Sequence, residues 1–158
     1  MTETWLTPYM DRMEEMSRYF FRYFHARIEA EGGLSPSQFF VLKTLKAAGT
    51  LTVSDLARSL GMTTAGATGL VDRLTRAGLV TRQRDHRDRR VVWVHLSDEG
   101  ARQYAGACAL RRTVLSELFS TLSPDEVAQL VGLYEKVFRN IPAPEAEPTS
   151  PEPSISPV

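Results

Sequence analysis

The chain has a single cysteine, Cys108, so no disulfide can form within it. In "YAGACALRR" that cysteine stands among small apolar residues and reads as a buried core thiol rather than a redox sensor. No stretch approaches the roughly 18 apolar residues of a membrane span. The opening "MTETWLTPYM" has neither the basic nor the apolar segment of a signal peptide. A cytoplasmic protein with no membrane partner is expected. Three histidines, His25, His86 and His95, have no metal-ligand spacing among themselves or with Cys108, so each reads as structural and no metal or other cofactor is expected. A phosphate-cradling glycine loop followed by lysine is missing, as is a nucleophile with a base, which argues against an enzyme.

Net charge is missing too, with 19 basic and 19 acidic residues, but the balance hides an asymmetry. Between Arg58 and Arg90 stand eight arginines (58, 73, 76, 82, 84, 87, 89, 90) and three acids (Asp72, Asp85, Asp88), a local balance of +5. Before residue 34 the sign reverses, with six acids facing four arginines. A local basic field on a neutral chain fits one face made for a polyanion. The alternative, a solvated arginine cluster, suits a helix surface better than "TRQRDHRDRRVVWVHL", where five arginines crowd a turn between two extended runs.

With 158 residues, 42% of them hydrophobic, the chain is long enough for one domain with its own core. Thr7-Pro8 reads as a capped helix start, with Met13, Met16, Phe20, Phe24 and Ile28 at helical spacing and Gly32-Gly33 as the stop. Ser35, Pro36 and Gln38 match a capping box, and Ser123, Pro124 and Glu126 repeat it. Ser97, followed by Asp98 and Glu99, starts a helix expected to reach about Leu122. The proline-rich, acidic tail 141–158 is expected to be disordered. In the middle, Leu51 to Val53 reads as extended, a helix capped by Ser54 stops at Gly61, and a second helix runs from about Thr64 to Ala77 before Gly78. Two short helices joined by a glycine-containing turn form a helix-turn-helix. The two extended runs behind it, joined by "DHRD", add a β-hairpin and make it a winged helix.

At 100° per residue, Ala67, Leu70, Val71 and Leu74 of the second helix point inward. The opposite side carries Ala65, Gly69, Asp72 and Arg76, flanked by Thr64, Thr68 and Arg73. Glycines cost a helix about 1 kcal/mol each. Gly66 and Gly69 therefore admit either close approach to DNA or close packing against another helix. Thr63, Thr64 and Thr68 remain to contact bases, while Arg73 and Arg76 suit phosphates. Asp72 would repel DNA unless a wing arginine pairs with it.

The ordered set Val71-Asp72-Arg73-Leu74, Asp88-Arg89-Arg90 and Leu96-Ser97-Asp98-Glu99-Gly100 resembles the MarR (multiple antibiotic resistance regulator) family of bacterial transcription factors, over roughly residues 8 to 140. The resemblance implies a mostly α fold with a small β-wing, in which a winged helix-turn-helix (about 35–96) is flanked by dimerisation helices (7–31 and 97–140). It implies a homodimer in which Arg89 probes the minor groove at the wing tip and Arg90 pairs with Asp72. Two positions depart from the family pattern: Gly69 stands where relatives often have arginine, and His86 where they often have proline. Shape readout by the wing is therefore expected to carry more of the specificity.

The expected function is a dimeric sequence-specific regulator of double-stranded DNA, a repressor released by a small molecule. The alternative is a winged-helix module for protein or RNA. Ser35, Ser37, Arg84 and Arg87 complete the candidate DNA-contacting set. The apolar positions Leu118, Leu122, Val127, Leu130, Leu133, Val137 and Phe138 exceed what a chain end needs and read in part as dimer interface with the first helix. Two-fold symmetry would set the recognition helices about 34 Å apart on a near-palindrome. MarR relatives often bind aromatic anions beside the dimer helices. Tyr19, Phe20, Tyr23, Phe24, His25 and Phe40 are the candidates for such an effector pocket, although an aromatic stripe also suits a core.

Overall fold

A hydroxyl residue followed by proline introduces three of the helices: Thr7-Pro8, Ser35-Pro36 and Ser123-Pro124. Proline suits a first turn because its missing N–H has no partner there anyway. In the computed structural model, which describes residues 5–139, the chain forms α1 (Thr7–Ala30), α2 (Pro36–Ala48), β1 (Thr50–Thr52), α3 (Val53–Ser59) and α4 (Thr64–Arg76). It continues with β2 (Val80–Arg84), β3 (Val92–Leu96), α5 (Asp98–Leu118) and α6 (Pro124–Phe138). The expected disordered tail, 141–158, lies outside the described residues. The fold is mostly α with a small β-wing. Among the described residues no helix is long and apolar enough to cross a membrane.

Both capping boxes form. Ser35 Oγ accepts from Gln38 N while Gln38 Oε1 accepts from Ser35 N, and Ser123 and Glu126 do the same. Two expected caps are corrected. Thr7 is the first helical residue of α1, behind Leu6 and without a side-chain cap. Thr52, not Ser54, caps α3 by accepting from Asp55 N at 3.1 Å. The reason is the sheet: Thr52 is the last paired residue of β1, already extended, so α3 begins directly after it at Val53, inside the stretch expected to be extended. α5 ends at Leu118 rather than near Leu122, where Ser120 Oγ donates to the Glu117 carbonyl and competes with the helix ladder.

The sheet is antiparallel in the order β1-β3-β2, with Leu51 opposite Val94 and Arg82 also opposite Val94 from the other side. Alternation along β3 turns Val94 into the core, with Val92 and Leu96 packed against its edge. There it meets Val41, Leu42 and Leu45 of α2, Leu56 of α3 and Leu70, Val71 and Leu74 of α4. Each such leucine contributes about 1.5–3 kcal/mol by leaving water. A smaller cluster joins Phe24 and Ile28 of α1 to Val114 of α5. Arg27 locks the same two helices by donating to Glu117 and Glu31, both at 3.0 Å, which keeps its guanidinium charged beyond its ordinary range.

Two faces stay uncovered in the single chain. Along α1, Met13, Met16 and Tyr19 are exposed, so only its C-terminal half (Phe24, Ile28) reaches a core. No residue of α6 is buried, and Leu133, Tyr134, Val137 and Phe138 lie open. Cys108 is half-buried rather than in the core, and its nearness raises the pKa of the Tyr104 hydroxyl one turn before it.

Candidate nucleic-acid interface

Helix α4 is fixed from beneath and bare above. Ala67, Leu70, Val71 and Leu74 are all buried, as their spacing requires. On the other side, among the described residues, no other helix approaches the glycines. A Cβ at Gly69 would meet only the Arg73 guanidinium at 3.8 Å, and one at Gly66 only the Thr63 hydroxyl at 3.2 Å. Packing within the chain therefore does not account for these glycines. The threonines divide by their commitments. Thr63 caps α4 by accepting from Gly66 N, and Thr68 donates its hydroxyl proton to the Thr64 carbonyl at 2.8 Å. The Thr64 side chain is exposed and has no such commitment among the described residues. Ser35 serves as the α2 cap, while Ser37 lies exposed on the first turn of α2, beside a surface groove it shares with Phe40, Ser59 and Met62.

Asp72 does find an arginine, but not the expected one. Its carboxylate accepts from Arg82 of β2, and Arg90 instead donates to Asp88 through Nε at 3.1 Å and Nη2 at 3.3 Å. The physical reason is position. Only the turn through Gly78 separates α4 from β2, so Arg82 stands alongside α4. Arg90 lies beyond the wing loop, where Asp88 is two residues away. The Arg90 side chain is 92% exposed.

Pairing leaves a defined set of cations. Of the eight arginines from 58 to 90, Arg58 pairs with Asp55, Arg82 with Asp72 and Arg90 with Asp88. Arg73, Arg76, Arg84, Arg87 and Arg89 form no ion pair among the described residues, and all five are exposed on α4 and the wing. The wing acids are engaged by donors of the wing itself. Trp93 Nε1 donates to Asp85, as do the backbone N–H groups of Asp88 and Arg87, and together they hold its carboxyl below the ordinary aspartate range. Asp88 is lowered in the same way, chiefly by the Arg90 side chain.

Among the described residues, the expected effector residues are spread over several surfaces of α1 and α2. Tyr19 and Tyr23 stack on each other at 6.4 Å on the exposed side of α1. Phe40 is 45% exposed on α2, edge-on to Phe39. Phe20 stacks on buried Phe24 at 6.0 Å and approaches Phe119 at 6.0 Å. Sequence reasoning missed Arg111. Its guanidinium lies 4.8 Å from the centre of the Phe24 ring and 4.1 Å from that of Phe39, and Nη1 is buried without a hydrogen-bond partner. Burial pulls its pKa down. His25 Nδ1, on the residue beside Phe24, is likewise buried without a partner. The signal was a pair of arginines, 111 and 112, directly after the small apolar run of α5, but only the fold brings Phe24 and Phe39 to one of them.

Comparison with known proteins places these features in context. The MarR family model matches residues 34–92, from the start of α2 into β3. The chain is 32% identical over 105 residues to the HTH-type transcriptional repressor MdtR of Bacillus subtilis (strain 168), an alignment that covers 66% of this chain and 68% of MdtR. It is 30% identical over 133 residues to the uncharacterized HTH-type transcriptional regulator YkoM of the same organism, with 80% and 86% covered. A mutant of MarR from E. coli, solved in complex with operator DNA, superposes with a TM-score of 0.64 at 26% identity, over 86% of this chain and 99% of that one.

Proposed function

This chain belongs to the MarR family and is a DNA-binding transcriptional regulator, and we propose that it acts as a homodimeric repressor gripping a near-palindromic operator, released by a small anionic ligand. The five arginines of α4 and the wing that form no ion pair among the described residues carry this reading, because they concentrate exposed positive charge in two adjoining elements of a chain with no net charge. Helix α4 enters the major groove with Thr64 and Thr68 toward the bases. Arg73 and Arg76 neutralise phosphates, as does Arg84 at the wing root. Arg89, flanked by Arg87, enters the minor groove, whose narrow A·T-rich stretches concentrate negative potential.

Repression follows from occupancy of an operator that overlaps a promoter, and MdtR is named a repressor. The dimer rests on the open apolar faces of α1 and α6, which one copy leaves in water and two copies can cover. The ligand reading rests on Arg111, a half-buried cation between two phenylalanine rings with an N–H that lacks an acceptor. An aromatic carboxylate matches both the charge and the rings.

The test is titration of a DNA fragment from upstream of the protein's own gene at several salt concentrations, with wild type and Arg89→Ala, alongside sedimentation. Expected are a dimer at micromolar concentration, a log affinity that falls by about 0.9 per phosphate contact with log salt, and a loss of at least tenfold for Arg89→Ala. A monomer in sedimentation would overturn the dimer. Unchanged operator affinity in Arg89→Ala would overturn the wing contact.

A further inference from the structure

We propose that Asp85 and Trp93 form a latch that fixes the shape of the wing loop, and that through this shape they set operator specificity without touching DNA. The inference rests on the reading of the wing as a DNA probe. It begins with a buried residue that stands outside the main core cluster. Trp93 alternates with Val92 and Val94 along β3, so it lies on the sheet face away from the main core cluster, of which it is not a member. It is nevertheless only 4% exposed. Its one polar group, the indole N–H, donates to Asp85 Oδ2 at 2.9 Å.

The other oxygen of the same carboxylate organises the loop itself. Asp85 Oδ1 accepts from the backbone N–H of Arg87 at 2.8 Å and of Asp88 at 3.1 Å. The loop is closed behind it by Asp85 N donating to the Val91 carbonyl at 3.0 Å, and Val91 N donating to that of Asp88 at 2.9 Å. Asp88 then accepts from the backbone and side chain of Arg90. Asp85 therefore ties the loop backbone to a buried ring on β3, while its charge stays engaged by three donors. Between these ties project Arg87 and Arg89, exposed and without ion pairs among the described residues.

A loop held in its bound shape before contact does not have to be ordered at each binding event, which favours the site that fits that shape. Sequence-independent binding depends instead on the number of cations and is indifferent to their arrangement. Asp85 and Trp93 are thus positioning residues, and their loss should separate specific from non-specific affinity. Trp93→Phe is the sharper variant, because it keeps an aromatic ring and every charge.

The experiment measures operator and random-sequence duplex binding across salt for full-length wild type, Trp93→Phe, Asp85→Asn, the double variant and Arg89→Ala, with a thermal melt of each. Expected for Trp93→Phe is an operator affinity lower by about tenfold, random-duplex affinity within about twofold and an unchanged salt slope. The double variant should lose specificity no further than the worse single variant, since both break one hydrogen bond. If Trp93→Phe does not fold, Asp85→Asn, which leaves the ring in place, reports the same loss of specificity. Wild-type specificity in both latch variants, with Arg89→Ala still impaired at least tenfold, overturns the latch and leaves the wing reading intact. An equal loss on both duplexes together with a lowered melt also overturns it, because Trp93 is then a stability residue. Wild-type binding by Arg89→Ala as well overturns the wing reading itself.

Discussion

Asp72 on α4 is held by Arg82 on β2, so the carboxylate that faces the proposed DNA side is neutralised from the root of the wing and not from its tip. Removing the cation leaves a bare negative charge beside phosphates. Arg82→Ala is expected to weaken operator binding about tenfold, and adding Asp72→Ala to restore most of the loss. The same second change added to Arg90→Ala brings no comparable recovery, because those two residues do not touch. Fluorescence anisotropy on the single and double variants reads both cycles, and recovery with Arg90 instead of Arg82 would reverse the assignment.

Gly69 separates stability from binding. The space above it is open to 3.8 Å, so Gly69→Ala should stabilise the free protein by about 1 kcal/mol through helix propensity. Operator affinity is expected to fall severalfold if the α4 backbone lies against the groove floor. A melt that rises with no change in anisotropy would mean that the bare face serves something other than close approach.

Gly100 has the opposite character. A Cβ there would lie 2.0 Å from the Leu79 carbonyl oxygen, which also accepts from Ser97 N and therefore cannot withdraw. Gly100→Ala is expected to destabilise the protein by roughly 2–3 kcal/mol, a fall of about 5–10 °C in Tm. Gly106→Ala on the same helix, with nothing within 4 Å, serves as the control and should melt no lower than wild type.

Arg111 predicts a ligand response. An unpaired, half-buried cation costs stability, so Arg111→Met, which keeps the bulk, should melt at or above the wild-type temperature. Thermal shift with benzoate or salicylate is expected to stabilise wild type and leave the variant unmoved. A shift of equal size in both proteins would place the anion elsewhere.

Local chemistry was legible in the sequence. The capping boxes at Ser35 and Ser123, the stops at Gly61 and Gly78, both with positive φ, and the inward face of α4 all follow from neighbours within a turn. Features that depend on the sheet were not. Thr52 takes the cap from Ser54 because β1 pairs with β3, and Asp72 meets Arg82 because the Gly78 turn sets the wing strand beside α4. Five wing arginines of equal charge gave no local basis for choosing among them. The Asp85–Trp93 bond and the Arg111 sandwich join residues from separate turns or elements, so no spacing rule announces them.

Thr52 closes β1 against Trp93 and, in the same residue, opens α3, while β2 leaves α4 through the single turn at Gly78. Both helices of the reading unit are thereby anchored to the sheet that bears the wing. The two parts proposed to meet the duplex, α4 and the wing, are therefore joined through one sheet. A protein that grips DNA as proposed here would measure the separation between neighbouring grooves, and a sequence that could not take up that separation would be refused before any base was inspected.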